Sequence, residues 1–361
     1  MPESAKKPFF DLDFDSLSSE IAEAGLPKFR AKQVWEAVYE KKIFDFAKMS
    51  SLPAALRERL KQRYAISAAE PVGGKISADE TGKRLFELSG GGFVECVILE
   101  APDDESGGIR KTLCVSTQLG CAQGCKFCAS TARGFKRNLS SPEIVSQLLP
   151  FAEGGRFAFE NIVVMGMGEP LANFDNVMKA LHIINARFGF GARRITLSTC
   201  GIADKISELA SSGFPYRLAV SLHGATNEAR DKIMPVNRRF PLEKLIPAVR
   251  ELAKASGRMV TLEYILIDKI NDSFKDADEL AKIALSLRAH VNLIPYNTVE
   301  GLPWRRPSPQ RRKAFFNALK GKNVSCTLRR EKGSDIEAAC GQLALVTERA
   351  KSAENGGEFR P

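Results

Sequence analysis

The sequence predicts an α/β fold. Its main part is a parallel sheet rolled into an open, partial (β/α)6 barrel, preceded by a small N-terminal helical domain and a short connecting β-hairpin. Three observations predict it. From Lys111 onward short apolar runs alternate with amphipathic helical stretches, the pattern of parallel strands with crossover helices. Residues 14–65 carry helical periodicity without strand-like runs. Between them, two runs with period-two alternation flank the turn "SGGG".

In the helical part, "DSLSSEIAEAG" opens at a capping residue and stops at Gly25, "FRAKQVWEAVYEKK" gathers Val34, Trp35 and Val38 on one face, and "SLPAALRERLKQRY" follows. Lys28, Arg30, Lys32, Lys41 and Lys42 make this module basic, as a nucleic-acid surface or simply a solvated face. "RLFEL" (84–88) and "GFVECVILE" (92–100) form the hairpin. Strands then follow at "TLCVST" (112–117), "NIVVM" (161–165), "RITLS" (194–198), "RLAVSL" (217–222), "MVTLEYIL" (259–266) and "HVNLIPY" (290–296). "SSPEIVSQLLPF", "NVMKALHIINARF", "PLEKLIPAVRELAKA" and "DADELAKIALSL" read as intervening helices. Six units are too few for a complete eight-fold barrel. "VSCTLRR" and a helix starting near Asp335 close the domain, and "SAENGGEFRP" reads as a disordered tail. The expected divisions are 1–75 (helical accessory domain), 76–106 (hairpin connection), 107–345 (barrel) and 346–361 (tail).

The 361 residues suffice for a large core, and the net charge of +10 favours a polyanionic partner, nucleic acid first, although charge alone does not separate this from a merely basic soluble enzyme. "MPESAKKPFFDLDF" has acidic residues where a signal peptide needs an apolar core, and no apolar run is long enough to span a membrane. A cytoplasmic protein without a membrane partner is expected. In a reducing compartment its eight cysteines point to metal or redox chemistry rather than a disulfide framework.

In parallel α/β folds ligands sit at the carboxyl ends of the strands, and the unusual residues fall there. Cys121, Cys125 and Cys128 follow the first strand in "GCAQGCKFCAS". "GMGEP" (166–170) follows the second, "STCG" (198–201) the third, "SLH" (221–223) the fourth and Asn297 the sixth. Core cysteines have no reason to share one loop between glycines. A zinc site wants a fourth ligand, and the three histidines (His182, His223, His290) lie elsewhere in the chain. A wholly protein-ligated iron–sulfur cluster wants a fourth cysteine. What remains is a cubane held by three thiolates with one iron left open.

C-x3-C-x2-C after the first strand of a partial barrel resembles the radical S-adenosylmethionine (SAM) superfamily, and "GMGEP" resembles its GGE-type loop. The resemblance implies a partial (β/α)6 radical SAM barrel with one 4Fe-4S cluster on Cys121, Cys125 and Cys128. Its open iron is chelated by SAM, which one electron splits to a 5′-deoxyadenosyl radical.

Longer phrases narrow this. "TLCVSTQLGCAQGCKFCASTARGFKRNL", "VVMGMGEPLANFDNV", "AVSLHGATNEARDKIMPVNRRFPLE", "VNLIPYNTVEGLPW" and "GSDIEAACGQL" closely resemble the RlmN/Cfr family of RNA adenine methyltransferases. The match covers essentially the whole chain from about Val94. Carbon 2 of adenine is neither acidic nor nucleophilic, so a radical route is needed. The resemblance implies that Cys340 stores a methyl group as a thioether and that its methylene radical adds to the base. Glu95 removes the ring proton, and Cys114 resolves the adduct through a transient Cys114–Cys340 disulfide that reductant clears. SAM contacts carry over to Gly168, Glu169, Ser198, Ser221, Leu222, His223 and Asn297. Implied partners are 23S rRNA, tRNA with its adenosine 3′ of the anticodon, and a flavodoxin-like electron donor, met by a monomeric enzyme. Methylation at carbon 8 is the alternative within the family, and "KGSDIEAACGQL" does not decide between the two. A cluster-bearing RNA-binding or electron-transfer protein leaves "GMGEP", "SLH" and the two cysteines without a purpose.

Arg133, Lys136, Arg137, Arg193, Arg194, Arg238, Arg239, Arg305, Arg306, Arg329 and Arg330 cluster near these motifs, with Phe135 and Trp304 as stacking surfaces for RNA. Cys96, Cys200 and Cys326 read as buried small hydrophobes.

Overall fold

The computed structural model describes residues 6–102, 107–132, 134–299, 301–329, 332–339 and 341–343. Ten strands make one sheet: β1 (Ala69–Ile76), β2 (Gly82–Leu88), β3 (Phe93–Pro102), β4 (Ile109–Cys114), β5 (Asn161–Val164), β6 (Ile195–Thr199), β7 (Arg217–Ser221), β8 (Thr261–Leu266), β9 (His290–Pro295) and β10 (Cys326–Leu328). Each lies beside its neighbours in sequence. From β4 to β10 every pairing is parallel, with Thr112 opposite Asn161, Leu197 opposite Leu218 and Glu263 opposite Asn292. The six expected barrel strands are all present, and the short β10 adds a seventh. Parallel strands buried on both faces read as continuous apolar runs, which is why they were visible.

The hairpin is continuous with the barrel: β3 pairs antiparallel with β4, placing Val97 opposite Cys114. Strand β1 was not anticipated. Its sequence "AEPVGGKI" carries Pro71, Gly73 and Gly74, is exposed along nearly its whole length, and bulges between Pro71 and Gly73. Edge strands tolerate such residues, which hides them from a propensity reading.

Helices cover the sheet: α4 (Ser141–Ser146), α5 (Phe174–His182), α6 (Ala203–Ser211), α7 (Asn227–Ile233), α8 (Leu242–Ser256), α9 (Phe274–Leu287) and α10 (Pro309–Gly321) follow α1 (Phe14–Glu23), α2 (Phe29–Tyr39) and α3 (Ala54–Arg63) of the N-terminal part. Capping boxes start α4 (Ser140 with Glu143) and α9 (Ser273 with Asp276). The helix expected from Asp335 is, among the described residues, a single 3-10 turn at Ser334–Ile336.

The N-terminal module has its own aromatic centre, Phe9 against Tyr39, Phe46 and Tyr64, and docks on the barrel through Phe188, 5.8 Å from Phe10 and 5.2 Å from Tyr39. Burying one such ring contributes about 1.5–3 kcal/mol, so these rings outweigh the polar contacts beside them. Arg187 adds a hydrogen bond to Leu12 O at 2.7 Å. Lys42, one of the module's expected basic residues, donates to Tyr39 O and covers the rings of Phe157 and Phe188, so it belongs to this interface.

Candidate functional site

The chain leaves β4 at Cys114 and enters the cysteine loop. Thr117 N and Gln118 N donate to Met167 O at 2.8 and 3.2 Å, tying this loop to the "GMGEP" turn. Gly120 takes φ +76°, and a Cβ there would stand 1.8 Å from Gly134 O, so no side chain fits. Cys128 N donates to Cys125 O at 3.1 Å, and Lys126 N to Ile233 O at 2.9 Å. Trp304, expected as a stacking surface, donates its indole N–H to Lys126 O at 2.9 Å and so braces the loop.

One cavity receives Cys121, Cys125, Cys128, Gly168, Glu169, Ser198, Ser221 and His223 together, with Ile265 and Ile294 from β8 and β9. A lining drawn from successive parallel strands means that the sheet curls around this space. Burial pushes the Cys121 thiol up to about 12 and raises the Cys125 thiol well above the usual range, so iron binding must displace their protons. Among the described residues no three His, Cys, Asp or Glu side chains form a site for a single metal ion. Thiolates serving separate irons of a cubane need no such convergence. Two buried thiols and a half-buried third on one glycine-bounded loop fit a cluster better than zinc.

Opposite the loop, Gly168 takes φ +103°, and a Cβ would fall 2.7 Å from Gln118 N. Glu169 is buried, and its carboxylate accepts from Cys200 N at 2.8 Å and Leu171 N at 3.0 Å. Burial raises its pKa, while these donors favour the anion. His223 holds an unusual φ of +53°. Its Nδ1 accepts from Ile265 N at 3.1 Å, which leaves the proton on Nε2, and Phe127 of the cysteine loop packs edge-on at 5.0 Å. Burial, then the nearby Arg230, lower its pKa to about 3, so it is neutral.

Two expected residues sit differently. Leu222 is a core side chain outside the cavity lining; its N–H donates to Val220 O and Glu263 O, and its carbonyl accepts from Arg230. Asn297 lines an adjoining cavity and accepts from Arg306 at 3.3 Å. That second cavity shares Cys128, Ser130, Met165, Gly166, Ile294, Arg329 and Gly341 with the first, and also holds Val97, Leu99 and Cys114. Ala339 and Gly341 line it too. Cys340 lies outside the described residues, as do Arg133 and Arg330. No disulfide joins any two of the described cysteines. Glu95, on β3, is 5% exposed and pairs with Lys83 at 3.0 Å.

The sequence reading missed three groups. Arg230 is fully buried and donates to the carbonyls of Leu222 and Cys200 (the latter at 3.1 Å) and to Asn237 Oδ1 at 3.0 Å, fastening the strand-end turns to α7. In "NEARDKI" it resembles an exposed helix charge. Glu263, buried in the cavity wall, accepts from Asn292 at 2.8 Å; a charge inside the apolar run "MVTLEYIL" was the available signal. Cys200 lines the cavity beside Glu169. Among the arginines grouped near the motifs, Arg137 pairs bidentately with Glu143 at 2.8 Å and bonds Gly91 O, and Arg306 donates to Tyr296 O at 2.7 Å.

A cysteine loop after the first parallel strand, a glutamate turn after the second and a cavity between them define a radical SAM enzyme. A radical SAM superfamily domain is matched over residues 115–281, and a ribosomal RNA large subunit methyltransferase N-terminal domain over 8–66. The chain is 52% identical over 361 aligned residues to the "Probable dual-specificity RNA methyltransferase RlmN 3" of Opitutus terrae, covering 96% of each. It is 43% identical to the "Probable dual-specificity RNA methyltransferase RlmN" of Thermotoga maritima, covering 96% of this chain and all of that one. A radical SAM methyltransferase from Sphaerobacter thermophilus superposes with a TM-score of 0.86 at 40% identity, covering 93% of this chain and 98% of that one. The chain therefore belongs to the RlmN family of radical SAM RNA methyltransferases. None of the helices among the described residues is long and apolar enough to cross a membrane.

Proposed function

We propose that this protein methylates carbon 2 of an adenosine in 23S rRNA and of the adenosine 3′ of the anticodon in tRNAs, consuming two SAM per methyl group. The observation that carries the proposal is the pair of adjoining cavities. One is lined by the cysteine loop and Glu169; the other by Cys114 and the residues flanking position 340.

In this reading Cys121, Cys125 and Cys128 hold a 4Fe-4S cluster, and Gly168, Glu169, Ser198, Ser221, Leu222, His223 and Asn297 surround SAM. The cluster and SAM supply, when bound, one-electron cleavage of a carbon–sulfur bond and a radical able to abstract hydrogen. The chain's own groups do the rest. The Glu169 carboxylate, fixed by two backbone N–H groups, offers an anion to the methionine amine. Neutral His223 offers an Nε2–H donor without placing a cation against the sulfonium. Cys340 carries the methyl group, Glu95 takes the ring proton, and Cys114 releases the product by forming a disulfide with Cys340 that external reductant reduces. Residues 1–75 act as an accessory module for RNA, 76–106 bring Glu95 to the barrel of 107–345, and 346–361 are a tail. The enzyme works as a cytoplasmic monomer with a flavodoxin-like donor.

Anaerobic reconstitution with each RNA, followed by nucleoside mass spectrometry, tests the proposal. 2-Methyladenosine in both RNAs is expected. Exclusive 8-methyladenosine would establish the carbon-8 alternative instead, and no methyladenosine from fully loaded enzyme would refute both.

A further inference from the structure

Lys83, on β2, is 8% exposed and sets its Nζ 3.0 Å from Glu95 Oε1. It lies opposite Val97, diagonal to Glu95 on the same face of the sheet. The same Nζ reaches Glu337 O at 3.4 Å, on the segment that leads to position 340. Buried ion pairs contribute little net stability, since an apolar replacement is often neutral. The placement of this one suggests another use. Glu95, Val97 and Leu99 are alternate residues of one strand and so face one way. Val97 and Leu99 line the second cavity. A carboxylate withdrawn from water keeps its proton unless a cation stands close. The Lys83 ammonium, 3.0 Å from Glu95 Oε1, supplies such a cation. Other ionisable groups on or facing this side, among the described residues, are Lys75 opposite Lys83 on β1, Glu87 further along β2, Cys114 on β4, and Arg329 and Lys332 across the cavity.

We propose that Lys83 is a positioning residue for the Glu95 base: it holds the carboxylate ionised and sets it in register with the C-terminal segment. This rests on the reading of Glu95 as the base. Lys83 touches neither the adenine nor SAM.

The test compares Lys83→Met with Lys83→Arg in the reconstituted enzyme. Loss of the cation should move the acidic limb of the methyl-transfer pH profile upward by about 1–3 pH units, and arginine should restore it. Methylation of Cys340 in the absence of RNA, read by protein mass, should stay within about two-fold of wild type, because it precedes the base's step. Infrared difference spectra of cluster-free Lys83→Met should show a protonated carboxyl band that vanishes in Lys83→Met/Glu95→Gln. Should Lys83→Met fold poorly, Lys83→Gln makes the same comparison. An unmoved acidic limb together with no carboxyl band overturns the inference. Wild-type turnover by Glu95→Gln would instead remove the base assignment itself.

Discussion

The two cavities are built in different ways. The first is walled by consecutive strand ends of one parallel sheet, and its polar groups are fastened from behind: Glu169 by Cys200 N and Leu171 N, and the carbonyls of Leu222 and Cys200 by Arg230. The second is closed by pieces distant in sequence. Gly333 N donates to Asp79 Oδ2 at 2.8 Å, Ala78 N to Asp335 Oδ2 at 3.1 Å, and Ser77 to Asp335, so the hairpin turn holds the C-terminal segment in place. Ala129 N and Ser130 Oγ add bonds to Gly341 O and Leu343 O at 2.8 and 2.7 Å. The first arrangement suits a small ligand held in one geometry. The second, latched by a few partly exposed hydrogen bonds, can open at less cost than a sheet can part, as a macromolecular substrate requires.

The sharpest way to break the comparison is to damage each cavity separately. Cys125→Ala should lose most of the iron and at least about 10³-fold of the methyl transfer, because the cofactor cavity no longer holds its cluster. Cys340→Ala should lose as much methyl transfer while keeping the iron content and visible absorbance. Metal analysis and nucleoside mass spectrometry separate the two. Loss of iron in both variants would show that the cavities are not independent.

A smaller effect concerns the fastening of the first cavity. Arg230→Met leaves two strand-end carbonyls without their donor and should cost about 3 kcal/mol or more, seen as a lowered urea midpoint. An unchanged midpoint would mean that the guanidinium is not a structural clamp.

The last effect is confined to low pH. The His223 pKa lies near 3 in the folded chain against about 6.5 unfolded, so the unfolded chain binds a proton that the folded one does not. That stabilisation is complete above about pH 6.5 and declines as pH falls toward 3. His223→Asn should flatten this limb in chemical denaturation measured across that window. An unchanged slope would place His223 in a more solvated setting.

The same contrast governs how far the sequence could be read. The first cavity was visible because each of its motifs ends a strand that an apolar run announces, such as "NIVVM" before "GMGEP". The parts that hold it together were not. Arg230 looks like any helical arginine, and only the packing of α7 beneath the strand ends takes its charge out of water. On the strand beside the second cavity Glu95 stood out by phrase, but Lys83 did not, because strand β1 and the approach of Glu337 depend on pairings across long stretches of chain. Arg137, one of the arginines grouped near the motifs, also serves the capping box of α4 through Glu143, a role its neighbours in sequence do not announce.

The most direct test of the two-cavity account is a single turnover of the Cys114→Ala enzyme, loaded anaerobically, with proteolysis and mass spectrometry of the product. The account predicts a peptide containing Cys340 joined through one carbon to an adenosine, with little free methylated RNA. Methylated RNA released at the wild-type level without any crosslink would contradict it.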